Sequence, residues 1–98
     1  MLVSIYVLVD PRDQIVRYVG KTRRSLRDRL NGHLADKDSR RSPWIAELRA
    51  IGLRPIIAEI ESVPDERSTE AERTWISHYR PLGHILNAVD TSWESATG

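Results

Sequence analysis

Two tyrosines, an arginine–histidine pair, a glutamate and an asparagine are the residues of this chain that sit where a plain core would not put them and could carry chemistry. Tyr6 and Tyr18 each sit in a run rich in β-branched residues. If those runs pair symmetrically about Arg12, the two phenols lie opposite each other on one sheet face. Such a pair also stabilises a sheet without any chemical role. Arg29 and His33 are four residues apart, so they share a helix face beside the stripe Leu26, Leu30 and Leu34. A cation there can point into a cleft, or it can lay its stem along the apolar stripe. Glu72 precedes Trp75, Ile76 and Tyr79 by three, four and seven residues and therefore lies on the apolar face of its helix. Carboxylates take such positions with a partner or a metal. The competing role is a capping box, Thr69-Glu70-Ala71-Glu72, which would occupy Glu72 at a helix start. Asn87 falls in the apolar segment Ile85-Leu86-Asn87-Ala88, where its side chain suits a turn or a backbone cap. Lys21, Arg23, Arg24 and Arg27 add positive charge near these groups and suit contacts to a phosphate backbone.

The elements that must position these residues follow from periodicity and turn chemistry. Ser4 to Val9 and Ile15 to Val19 flank the turn Asp10-Pro11-Arg12-Asp13-Gln14 and predict a hairpin, with Gly20 ending the second strand. Ser25-Leu26-Arg27-Asp28 is a capping box and starts the first helix. Asp36 to Arg41 is polar and reads as a loop. Ser42 as N-cap, Pro43 at the first helical position and Gly52 as the stop delimit a second helix, with Trp44, Ile45, Leu48 and Ile51 on its buried face. A third strand follows Pro55, and a third helix runs from about Ser68 to Tyr79, ended by Pro81. The order ββααβα predicts an α+β domain with a small antiparallel sheet covered by helices. It spans residues 1–90, with a polar tail at 91–98.

The chain has 98 residues, which is one small domain, and no cysteine. Disulfide scaffolds, thiolate zinc sites and cysteine nucleophiles are thereby excluded. There is no Gly-rich phosphate loop, no HExxH spacing and no G-x-S-x-G elbow. No apolar run approaches the ~18 residues of a membrane span and no signal peptide is visible, so a cytoplasmic domain is expected. The net charge of +1 conceals an asymmetry. Residues 12–49 carry eleven Lys/Arg against five Asp/Glu, whereas residues 50–98 carry four Arg against eight Asp/Glu. A basic first half suits a polyanionic partner such as nucleic acid.

Taken together, Ser4-Ile5-Tyr6, Tyr18-Val19-Gly20-Lys21-Thr22, the trio Leu26, Arg29 and His33, Glu72-Arg73-Thr74-Trp75-Ile76 and Asn87 resemble the GIY-YIG nuclease family. The resemblance covers about residues 4–89. Ser4 stands where the family usually has Gly, and Val19 replaces Ile. Arg29 is chosen over Arg27 because only Arg29 has a histidine four residues later. The resemblance implies a three-stranded antiparallel sheet flanked by helices and a metal-dependent endonuclease that hydrolyses DNA phosphodiester bonds. It implies one Mg²⁺ (or Mn²⁺) per active site, with Glu72 as its only protein carboxylate. Arg29 would clamp the phosphate, and Asn87 would position the site. The general base would be Tyr6 or Tyr18 as tyrosinate, with His33 as a rival base or the group that activates a tyrosine. DNA is the expected partner. A homodimer or a specificity partner is expected too, since so short a chain has no room for a separate DNA-reading domain. The alternative is a nucleic-acid-binding module of the same fold with weak or lost catalysis. Ser4 is the one feature in its favour, because every matched catalytic position is filled.

Overall fold

The Pro/Asp-rich turn reverses the chain between β1 (Leu2–Val9) and β2 (Val16–Thr22) in the computed structural model, which describes residues 1–35 and 41–86. Gln14 supplies the left-handed step at φ 63°, and the Asp13 side chain accepts from the Ile15 N–H at 3.0 Å. The strands pair about Asp13 rather than Arg12: Tyr6 faces Gly20, and Leu8 faces Tyr18. Tyr6 and Tyr18 are therefore diagonal neighbours and not the directly opposed pair expected from symmetric pairing. Two steps cause this: the turn pairs Val9 with Val16, one residue off symmetry about Arg12, and an irregularity after Leu8 makes Arg17 an extra residue. Gly20 does not end β2, which continues to Thr22. The third strand, β3 (Ile56–Pro64), adds to the other side of β1, giving the antiparallel order β2-β1-β3. A second irregularity leaves Ile60 unpaired between Glu59, which faces Tyr6, and Glu61, which faces Ile5.

Three helices follow from local chemistry. Helix α1 (Leu26–Ala35) starts as expected, with Ser25 Oγ accepting from the Asp28 N–H at 3.1 Å. Helix α2 (Arg41–Ala50) begins before the expected Ser42–Pro43 start. Pro43 is tolerated there because first-turn N–H groups have no acceptor within the helix. Its end is as expected: Gly52 adopts φ 78°, while Leu53 N–H and Gly52 N–H donate to the carbonyls of Leu48 and Arg49 at 2.8 and 3.0 Å. Helix α3 (Asp65–Tyr79) starts three residues earlier than Ser68, directly after β3. Pro81 lies in the 3-10 turn Arg80–Leu82 that closes it.

The sheet is the middle of three layers. Helix α3 covers one face through Ile5, Val7, Val19, Val63 and Ile76. Helices α1 and α2 cover the other through Leu8, Trp44, Ile45 and Leu48, with Leu30, Leu34, Tyr18 and Ile57 at the margin. Each fully buried aliphatic side chain contributes about 1.5–3 kcal/mol. Ile51, expected in this core, is 58% exposed because the chain has already turned away toward Gly52. The architecture is the expected α+β fold in the order ββααβα. No helix among the described residues is long and apolar enough to cross a membrane. Of the expected loop, 36–40 lies outside the described residues and Arg41 belongs to α2. Asn87 and the tail at 91–98 also lie outside them.

Candidate active site

Tyr6 and His33 are 0% and 1% exposed and meet in the layer between sheet and α1, with Tyr6 Oη 2.6 Å from His33 Nε2. Tyr6 can lie there because its strand partner is glycine. A Cβ on Gly20 would sit 2.5 Å from Tyr6 Cζ, inside any permitted contact. Gly20 is thus required by close approach of a ring to the backbone of β2. Arg29, one turn before His33 on the same face, donates from Nε to Tyr6 Oη at 3.0 Å. Tyr18 joins the group through its ring, 6.4 Å from the Tyr6 centroid and 5.2 Å from that of His33. The imidazole meets both phenol rings edge-on. Tyr18 is only partly buried.

Arg29 connects this buried group to the surface. It lines a cleft of about 340 Å³ at the joint of β2, α1 and α3, where Lys21, Arg23 and Arg24 stand with Ser68 and the two acids Asp28 and Asp65. Lys21 Nζ donates to Thr69 Oγ1 at 2.7 Å and to Ser68 Oγ at 3.3 Å. Arg23 is paired with Asp65 at 2.6 Å, which holds that carboxyl below its ordinary value. Arg24 and Arg27 are exposed, and Arg27 does not line the cleft.

Glu72 is half-buried in the third turn of α3. The early start of that helix removes Thr69 and Glu72 from any cap, so the capping role does not apply. Burial pushes the Glu72 carboxyl up, because a charge withdrawn from water is costly. The nearby cations Lys21, Arg29 and Arg73 oppose that rise. The structure thus brings Tyr6, Tyr18, Arg29 and His33 into one cluster and places Glu72 within the field of Lys21 and Arg29.

The GIY-YIG catalytic domain model matches residues 3–86. The chain belongs to the GIY-YIG family. No curated protein and no solved structure matches it. The GIY-YIG fold is a nuclease-type fold, and its nucleases generally use a divalent metal. Among the described residues of this GIY-YIG domain no group of three or more His, Asp or Glu could cage a metal. The donor set fits a different mode. Glu72 offers one hard carboxylate oxygen, half withdrawn from water, and Mg²⁺ commonly takes one or two carboxylates while keeping several waters. Ser4 fills its Gly position without disturbing Tyr6: its Oγ donates to Glu59 Oε1 at 2.5 Å, across the β1–β3 seam.

Two polar sites escaped the sequence reading. Asp10 is fully buried beneath the hairpin turn and accepts from Trp44 Nε1 at 2.9 Å, a partner 34 residues away that no local pattern reveals. Thr69 and Ser68 hold Lys21. The capping-box pattern at Thr69 pointed instead to a local role.

Proposed function

We propose that this domain is a metal-dependent endonuclease that hydrolyses DNA phosphodiester bonds. The observation that carries this reading is the continuity of Arg29. Its Nε holds the buried Tyr6–His33 pair, and its side chain lines the cleft where four cations outnumber two acids. The remaining guanidinium N–H groups suit bidentate contact with a phosphodiester and stabilise charge as it develops.

The other residues divide the work by burial. Tyr6 and His33 are sealed from solvent, so their part is to fix Arg29 and the ring cluster. With Nδ1 carrying the imidazole proton, Tyr6 accepts from Arg29 and donates to His33. Tyr18 keeps part of its surface exposed and stands as the phenol that takes a proton from water. A phenol of ordinary pKa ~10 needs positive charge nearby to act near neutrality, and a bound metal would supply it. Lys21 and Arg24 meet the phosphate backbone at the cleft wall. Glu72 would hold the metal, which when bound polarises the phosphate and relieves charge on the leaving oxygen.

The test is nicking of supercoiled plasmid DNA by the wild type and by Glu72→Ala, each with Mg²⁺ and with chelator. Metal-dependent nicking is expected for the wild type, and its loss in Glu72→Ala with DNA binding retained. Full cleavage by Glu72→Ala, or by the wild type in chelator, sinks the assignment. Salt-sensitive DNA binding without cleavage of plasmid or branched DNA favours a binding module instead.

A further inference from the structure

Lys21 is the one cleft cation held entirely by hydroxyls in this structure. It follows Gly20 on β2, pairs in register with Ile5 and so points toward α3. There its ammonium donates to Thr69 Oγ1 at 2.7 Å and to Ser68 Oγ at 3.3 Å. Ser68 is itself buried and donates its proton to the Asp65 carbonyl at 2.8 Å, leaving lone pairs for Lys21. An ammonium has three N–H donors. Two are engaged, and the third remains for the cleft that Lys21 lines beside Arg29.

The chemistry of the partners matters. Arg23, on the same cleft, spends its charge on Asp65 at 2.6 Å. Arg12, at the hairpin, spends its charge on Asp10 and Glu47. Hydroxyls fix a cation without cancelling it. A lysine already anchored also loses less rotamer freedom when it meets a ligand.

We propose that Thr69, assisted by Ser68, is a positioning residue that holds the Lys21 ammonium in a fixed place for a phosphodiester oxygen in the cleft. This rests on the nuclease reading above and deepens it. Thr69 is exposed and well inside α3, so its hydroxyl can be removed with little risk to folding.

The test is a double-mutant cycle with Lys21→Ala, Thr69→Val and both together, with Thr69→Ser as the conservative control. The readouts are the single-turnover nicking rate with Mg²⁺ and the affinity for a DNA duplex in chelator. Lys21→Ala is expected to slow nicking about a hundredfold and Thr69→Val about tenfold, with unchanged melting temperature for the latter. Thr69→Ser recovers most of the rate. The double variant is no slower than Lys21→Ala alone. An unaltered rate in Thr69→Val, or a Thr69→Val cost that persists in full without Lys21, overturns the proposal. Where the wild type binds DNA but does not nick it, the same cycle is read on affinity. Thr69→Val then weakens binding only when Lys21 is present, and the positioning role stands although the nuclease reading has failed. Absence of any salt-sensitive DNA binding by the wild type overturns both.

Discussion

Two buried polar clusters lie along β1 and its hairpin, and they are built to opposite ends. At the turn, the Asp10 carboxylate receives Arg12 Nε and Nη2 at 3.0 and 2.8 Å, the Arg12 backbone N–H at 2.9 Å and Trp44 Nε1 at 2.9 Å. Arg12 continues to Glu47 at 2.5 Å, and Arg17 approaches Asp10 at 3.6 Å. Every charge meets an opposite charge from the chain itself. Four residues earlier, Tyr6 sits between His33 and Arg29, and among the described residues Arg29 has no ion-pair partner. That second cluster carries its unmatched charge to a cleft. The difference teaches how to read buried polarity. A network that closes on itself fixes the fold, by stapling the hairpin turn to α2. A network that ends on an uncompensated cation at a cleft is available to a ligand.

The sharpest way to break this contrast is Asp10→Ala. It leaves the buried Trp44 N–H without its acceptor and takes a charged acceptor from Arg12, and each hydrogen bond to a charged group is worth about 1.5–3 kcal/mol. Domain stabilities run at about 5–15 kcal/mol, so the urea midpoint should fall steeply. Nicking activity per folded molecule should stay near wild type. Loss of activity without loss of stability would reverse the roles assigned to the two clusters.

The complementary variant is Tyr6→Phe. It keeps the ring that packs on Gly20 and removes only the hydroxyl that joins Arg29 to His33. Nicking should slow about a hundredfold, which is about 2.7 kcal/mol of barrier. The stability change should be about 2–4 kcal/mol, since one neutral and one charge-assisted hydrogen bond are lost. An unchanged rate would return Tyr6 to a purely structural role beside Asp10.

The second cluster was far more legible in the sequence than the first. Arg29 and His33 are spaced by one helical turn, and that spacing alone put them together on one face. Glu72 was visible as a carboxylate on an apolar stripe. Asp10 gave no such signal, because its decisive partner Trp44 is distant in sequence and an Asp before Pro in a turn looks local. Register was illegible for a related reason. The turn sets Val9 opposite Val16, one residue off the symmetric pairing about Arg12, and the extra residue at Arg17 adds one more, so Tyr6 meets Gly20 rather than Tyr18; neither step leaves a mark in an alternating pattern. The Thr69 capping box failed because Pro64 and the end of β3 start α3 earlier than the motif suggested. That displacement turned a would-be cap into a clamp on Lys21.

Acid should separate the two clusters by sign, with the smallest but most diagnostic effect. The Asp10 carboxyl lies well below its ordinary value, chiefly through its bonds to Arg12, against the opposing cost of burial. Its stabilisation is therefore complete above the ordinary 3.8 and is lost as pH falls below that toward the depressed folded value. The Glu72 carboxyl is displaced upward from 4.5 by burial. Its charge costs stability at neutrality, and that cost is relieved as pH falls toward 4.5. Urea midpoints measured in chelator from pH 7 to pH 3 should accordingly rise slightly and then drop. Glu72→Gln should abolish the rise and keep the drop, while Asp10→Asn should start lower and flatten the drop. The Arg23–Asp65 pair titrates in the same acid range, but it is surface-exposed and screened by salt. A drop that persists at high salt in the wild type and disappears in Asp10→Asn therefore belongs to the closed cluster. One that vanishes with salt would show that the buried carboxylate under the hairpin is not what holds the turn to α2.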